Sequence, residues 1–312
     1  MGLPIMRWRT VLEQRSVRLP VCCLLLAGAL GCAADPVAEL RSRLQSRIAE
    51  SSAEVVGVYF RNLANDDSLL LDVDSRMHAA SMMKVPVMIQ LFRDAEAGRL
   101  SLDDSLTITK TFTSIVDGTP YELGAPDDSD TTLYVRVGEK ETVRQLTELM
   151  ITVSSNLATN MLIELAGAQR VQATMRQLGA DSIAVLRGVE DIKAYRTGLN
   201  NTTTARDMGL IFSAIAEQRA ASPESCREMI AILSRQQFNE GIPAGLPIAT
   251  QVAHKTGSIT RIRHDGGIVY AEDGNPYVLV VLTNGITDSA RADELIKDVS
   301  RIVFAAVMQT PG

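Results

Sequence analysis

From residue 36 onward the chain alternates between two hydrophobic periods. Val37, Leu40, Leu44 and Ile48 recur at helical spacing and predict a helix over 36–50. Val55-Val56-Gly57-Val58-Tyr59-Phe60 is a short apolar run that predicts a strand. Asn65-Asp66-Asp67 predicts a turn, and Ser68 to Val73 the returning strand of a hairpin. A helix is expected from about Ser81 to Glu96, stopped at Gly98. The stretch Thr113–Lys140 is rich in Gly, Pro and Asp and predicts loops. Helical patterns resume at 142–150, 156–166, 171–179 and 204–218. Gly267–Tyr270 and Tyr277–Thr283 predict strands, and Ala290–Val307 a closing helix. Strands at both ends of a helical middle imply an α/β fold: one sheet covered by helices, with the middle forming an all-helical lobe.

The first thirty-odd residues carry a different pattern. Arg7, Arg9, Arg15 and Arg18 precede an apolar run from Leu19 to Leu30, too short to span a membrane and suited to a signal peptide. The run ends in Ala29-Leu30-Gly31-Cys32, which resembles the bacterial lipobox; the resemblance implies cleavage after residue 31 and lipid on Cys32. The leucine usual three places before the cysteine is Ala29 here. Export to the periplasm or the outer side of a membrane is the expectation, with lipid tethering the first reading and simple secretion or an uncleaved anchor the alternatives. Removal of residues 1–31, which hold four Arg and Glu13, takes the formal charge from −6 to −9. That acidic balance argues against a nucleic-acid partner. Cys226 would then be the only cysteine besides Cys32, so no internal disulfide is expected, and a buried structural thiol is the simpler reading of it. The three histidines, His78, His254 and His264, stand apart and offer no metal-ligand spacing. No metal or other cofactor is expected, and the domain is read as a monomer.

Three short motifs carry the chemistry. Ser81-Met82-Met83-Lys84 places a hydroxyl and an amine at i and i+3, on one helix face. A serine hydroxyl needs such a base to become a nucleophile, and the helix N-terminus offers N–H groups to a developing oxyanion. Alone the motif is weak, since about one Ser-x-x-Lys is expected by chance in a chain of this length. Ser154-Ser155-Asn156 lies between two apolar runs, and taken alone it could simply cap a helix. Lys255-Thr256-Gly257-Ser258 suits a strand edge that holds an anionic carboxylate, with Gly257 allowing close backbone approach; the alternative is a plain turn.

In this order and at these separations the three motifs resemble those of the class A β-lactamases and their penicillin-binding-protein relatives. The resemblance spans roughly Val37 to Val307. It implies a β-lactamase-like fold over residues 32–312, with an α/β lobe from about 36–80 and 219–312, a helical lobe of about 81–218, and the site between them. It implies Ser81 as nucleophile, Lys84 and Ser154 as proton-transfer groups, and Asn156, Lys255, Thr256 and Ser258 as substrate contacts. The N–H groups of Ser81 and Ser258 would form the oxyanion hole. Glu190, four residues after Leu186, takes the place of the glutamate that activates the deacylating water; otherwise it is a solvated loop acid.

The sequence departs from that family in several places. Ser155 replaces an aspartate in the middle motif. Ala194 stands where an asparagine helps hold the water, with Asn200 or Asn201 as conceivable substitutes. The Arg/Asp pair that staples the loop is not evident, and Arg261 and Arg263 come early for the arginine expected on the strand after the third motif. Two enzymatic readings follow: a serine β-lactamase that turns over through a Ser81 acyl-enzyme, and a D,D-peptidase or other serine amidase or esterase acting on a peptidoglycan-like substrate. The third reading, a lipoprotein using the fold for binding only, has no need of the intact Ser81, Lys84, Ser154 and Lys255 set.

Overall fold

A computed structural model describes residues 36–65, 67–271 and 276–309. The signal-peptide and lipobox expectations, Cys32 included, lie outside the described residues. In chain order the elements are α1 (Pro36–Ala49), β1 (Val55–Asn62), β2 (Ser68–Leu71), β3 (Met77–His78), α2 (Lys84–Glu96), β4 (Ser105–Thr107), β5 (Thr111–Thr113), β6 (Pro120–Glu122), β7 (Lys140–Thr142), α3 (Val143–Thr152), α4 (Asn156–Ala166), α5 (Ala168–Gln177), α6 (Ile192–Arg196), β8 (Thr202–Thr203), α7 (Ala205–Ala216), α8 (Pro223–Leu233), β9 (Gln251–Ile259), β10 (Ile262–Tyr270), β11 (Pro276–Asn284) and α9 (Ser289–Val307).

The main sheet has the order β2-β1-β11-β10-β9, antiparallel throughout. The first and last strands of the chain therefore pair in its middle, Val55 opposite Asn284 and Asn62 opposite Tyr277. Alternation along β11 sends Tyr277, Leu279 and Val281 to one face, with Leu295, Val299 and Val303 of α9 and Leu40 and Leu44 of α1. Val278, Val280 and Leu282 point the other way, into the core shared with α2, α3, α4, α5, α7 and α8. Close packing of α7 on β1 depends on Gly209, where a Cβ would lie 2.4 Å from the Tyr59 ring. The result is the sheet, helical cover and helical body that the two periodicities imply, with every strand pair of the sheet antiparallel.

Two local readings need correction. The helix expected from Ser81 begins only at Lys84; a 3-10 turn, Ala80–Met83, precedes it. Ala80 has a φ of +46°, in the left-handed region, which no α-helix can include. Helix α2 is buried on almost every side, from Lys84 to Asp94, and tolerates Pro86 because its first turn needs no N–H there. The expected loop between 113 and 140 contains the small hairpin of β5 and β6 and short 3-10 turns. Helix α8 has no counterpart in the sequence reading; Ser222 caps it, and Cys226 is buried within it as a free thiol whose pKa burial raises.

Candidate active site

The 3-10 turn shapes the first motif. The Lys84 backbone N–H donates to Ser81 O across this turn, which sets the lysine three residues on from the serine at the head of α2. The left-handed Ala80 just before Ser81 costs about 1 kcal/mol or more, strain that surrounding contacts must hold. Four contacts flank it: Ala79 N donates to Asn201 O (2.8 Å), Ala80 N to His78 Nδ1 (3.0 Å) and Met82 N to Ala79 O (3.0 Å), and His264 Nε2 lies 3.0 Å from His78 O. Strand β9 closes against the turn through Gly257, where a Cβ would meet Met82 Cγ at 3.1 Å and Ala80 Cβ at 3.3 Å. A side chain there would require the turn to give by a few tenths of an ångström.

The second motif sits in the turn between α3 and α4. Ser154 is left-handed, at φ +57°. Ser155 caps α4, its side chain accepting from Ala158 N at 3.3 Å, so the departure from aspartate is a working helix cap. Asp128 accepts the Asn156 and Leu157 N–H groups at 2.9 Å, a carboxylate seated on the positive end of α4.

Side chains from all three motifs converge on the Ser154 hydroxyl. Lys84 Nζ lies 3.1 Å from Ser154 Oγ and also donates to Ser154 O (2.6 Å) and Asn156 Oδ1 (3.0 Å). Lys255 Nζ reaches the same Oγ from the other side at 3.1 Å and donates to Thr256 O at 2.8 Å. Both amines are fully buried. Burial pulls Lys84 down to about 7, against the opposing pull of Asp128 and Glu190. Burial and the neighbouring Lys84 charge also depress Lys255 well below its ordinary value, with Asp265 opposing. Two full positive charges on one hydroxyl are costly in that setting, so the pair holds less than its full complement of protons near neutrality.

Ser81, Ser154, Asn156, Glu190, Thr256 and Ser258 line one cleft of about 770 Å³. Glu190 is exposed at its rim, with φ +60°. The cleft walls still desolvate its carboxyl enough to raise the pKa, reinforced by Asp127 and opposed by Arg187 and Lys84. The loop that carries it is tied at several points. Arg187 donates to Leu199 O (2.9 Å), Gly188 O (2.9 Å) and Asn200 Oδ1 (3.1 Å) across the loop's neck. Asp191 accepts from Ser114 Oγ, Ile115 N and Ala194 N, fixing the start of α6. Asn160 of α4 accepts from Val189 N (2.6 Å) and donates to Val189 O (3.0 Å), next to Glu190. The loop's exit, β8, pairs with β3, so it returns directly beside the turn that carries Ser81.

Ala194 is buried, and both suggested substitutes have side chains bonded within the neck of the loop. Asn201 spends its side chain on the Leu186, Arg187 and loop-neck backbone, and Asn200 accepts from Arg187. Arg263 stands opposite Ser258 on β10, lines the cleft and pairs with Asp293 at 3.2 Å. Asn160, Asp128 and Arg187 are structural parts of the site that the motifs did not flag. Asn160 falls four residues after Asn156 on one helix face, a signal that was present; the other two are recognisable only through their tertiary partners.

Comparison with known proteins places this architecture. The chain is 24% identical over 282 residues to a β-lactamase of Streptomyces albus G, covering 89% of this chain and 87% of that protein. It is 27% identical to one of Rhodobacter capsulatus, covering 88% of each. The solved structure of PBP-A superposes with a TM-score of 0.76 at 29% identity, covering 88% of this chain and 98% of that one. Residues 39–307, most of the described fold, match the beta-lactamase enzyme family, and the chain belongs to that family.

Proposed function

We propose that this protein is an exported serine β-lactamase working through an acyl-enzyme on Ser81. The observation that carries the reading is the Ser154 hydroxyl held between Lys84 and Lys255, 3.1 Å from each. An anionic substrate carboxylate near Lys255, Thr256 and Ser258 favours the proton on Lys255, which leaves Lys84 as the neutral base beneath Ser81. Ser81 Oγ then bonds to the lactam carbonyl carbon while its proton passes to Lys84. The oxyanion takes hydrogen bonds from the Ser81 N–H, at the start of a turn whose first N–H groups lack helical acceptors, and from the Ser258 N–H on the outer strand. The tetrahedral species collapses with loss of the carbon–nitrogen bond, and Ser154 delivers the proton to the departing nitrogen, refilled from the lysine pair. Water then attacks the ester, losing its proton to Glu190, and Ser81 leaves with a proton returned through Lys84.

A second reading is favoured by Ala194. With no free amide beside Glu190, the attacking water has one holder fewer, and an enzyme that acylates readily and deacylates slowly, such as a D,D-peptidase, is the alternative. Hydrolysis of a chromogenic cephalosporin by the purified chain from residue 33 onward separates the two. Many turnovers per enzyme support the lactamase; one rapid equivalent followed by arrest supports the peptidase. Ser81→Ala should abolish the penicilloyl adduct seen by intact mass, and a stoichiometric adduct on that variant overturns the nucleophile. Export and lipid tethering at Cys32 belong to the same proposal; among the described residues no helix is long and apolar enough to cross a membrane.

A further inference from the structure

His78 stands three residues before the proposed nucleophile and is used by none of the steps above. Its ring lines the cleft, half-buried, with Nδ1 3.0 Å from the Ala80 amide. A backbone N–H can only donate, so Nδ1 must be an acceptor and a neutral ring must carry its proton on Nε2. Ala80 is the left-handed residue that turns the chain into Ser81. An alanine gains nothing of its own from that conformation, so the turn persists only through its contacts. Of these, the bond to His78 Nδ1 is the one a proton can remove.

We propose that His78 is a positioning residue for the nucleophile: its neutral ring accepts the Ala80 amide and holds the left-handed turn that presents Ser81, and protonation of Nδ1 releases the turn and slows acylation. The inference rests on the Ser81 acyl-enzyme reading. The groups around the ring support its neutrality. Burial lowers the His78 pKa, and Arg187, at the neck of the Glu190 loop, adds to this by disfavouring a second positive charge. Tyr195 of α6 meets the ring edge-on with centroids 6.3 Å apart, and His264 of β10, itself held down to about 4 by burial, contacts the His78 carbonyl. Strand β8 contributes only Thr202 and Thr203.

The test combines two readouts on the purified chain. Nitrogen-15 correlation spectra of the His78 ring near pH 7.5 should show Nε2 protonated and Nδ1 bare and hydrogen-bonded. Acylation by a fluorescent penicillin, followed in single turnover, should slow about three- to tenfold in His78→Leu, the span of one hydrogen bond. His78→Asn, whose side-chain oxygen can accept the same amide but does not titrate, should recover most of the rate. In the wild type the fall of acylation rate at acid pH should steepen from one proton to two below the His78 pKa; in His78→Asn it should stay at one. A protonated Nδ1, a wild-type rate in a folded His78→Leu, or an unchanged two-proton limb in His78→Asn overturns the proposal. If the wild type takes no label at all, the Ser81 reading fails instead, and the ring spectrum alone decides whether His78 holds the turn.

Discussion

A lysine buried beneath a serine has one property that distinguishes a base from a structural cation: it must lose its proton at working pH. Lys84, pulled down to about 7 by burial, is poised to do so near neutrality. The sign follows directly. If, as proposed, the neutral amine accepts the Ser81 proton, the second-order acylation constant should rise about tenfold per pH unit below 7 and level off above it. A flat profile between about pH 5.5 and 8.5 would remove Lys84 as the base. Glu190 has the same protonation demand: it must have lost its proton to take one from water, and its pKa is raised by desolvation. Glu190→Gln should therefore leave acylation nearly intact and slow deacylation by about 10² to 10⁴. Accumulation of a long-lived adduct in the variant and not in the wild type is the expected mass spectrum. Equal trapping by both would mean that Glu190 positions no water.

At the scale of elements, the Glu190 loop is the part most dependent on fit. Gly188 is required by proximity: a Cβ there would lie 2.4 Å from Asn160 Oδ1, the atom that accepts the Val189 amide. Gly188→Ala should push the loop off α4 while the sheet and α2 stay formed. The expected cost is about 1–3 kcal/mol of stability, read by denaturant unfolding, with deacylation slowed more than acylation. Deacylation at the wild-type rate in this variant would show that the loop's seat on α4 does not set Glu190's position. The short elements here were hard to read in advance. Helix α6 has only five residues, and β3 and β8 two each, lengths at which no periodicity exists. The long elements, α1, β1, α4, β11 and α9, were legible because each repeats its apolar period several times.

For the whole molecule, the proposed tether makes one prediction that the catalytic domain does not share. Cys32→Ser should move the protein from the detergent phase to the aqueous phase on phase partitioning, with cephalosporin hydrolysis per molecule unchanged. Wild-type protein found in the aqueous phase with an unmodified mass would sink lipidation. The described fold closes by pairing β1 with β11, its first and last strands, and leaves β9 on the outside, against the turn that carries Ser81. The amino-acid sequence alone determined the periods of the elements, the three motifs and their order, since helical spacing and strand alternation belong to short contiguous segments. The cap at Ser155 was equally readable, as one of the two meanings that the second motif offered. Only the tertiary structure decided the rest: the left-handed turn at Ala80, the meeting of Lys84 and Lys255 on a serine 70 residues from one and 101 from the other, and the commitment of Asn200 and Asn201 to the loop neck. Those features follow from burial and from contacts between distant segments, and a proton's affinity for a lysine depends on which groups the closed fold places around it.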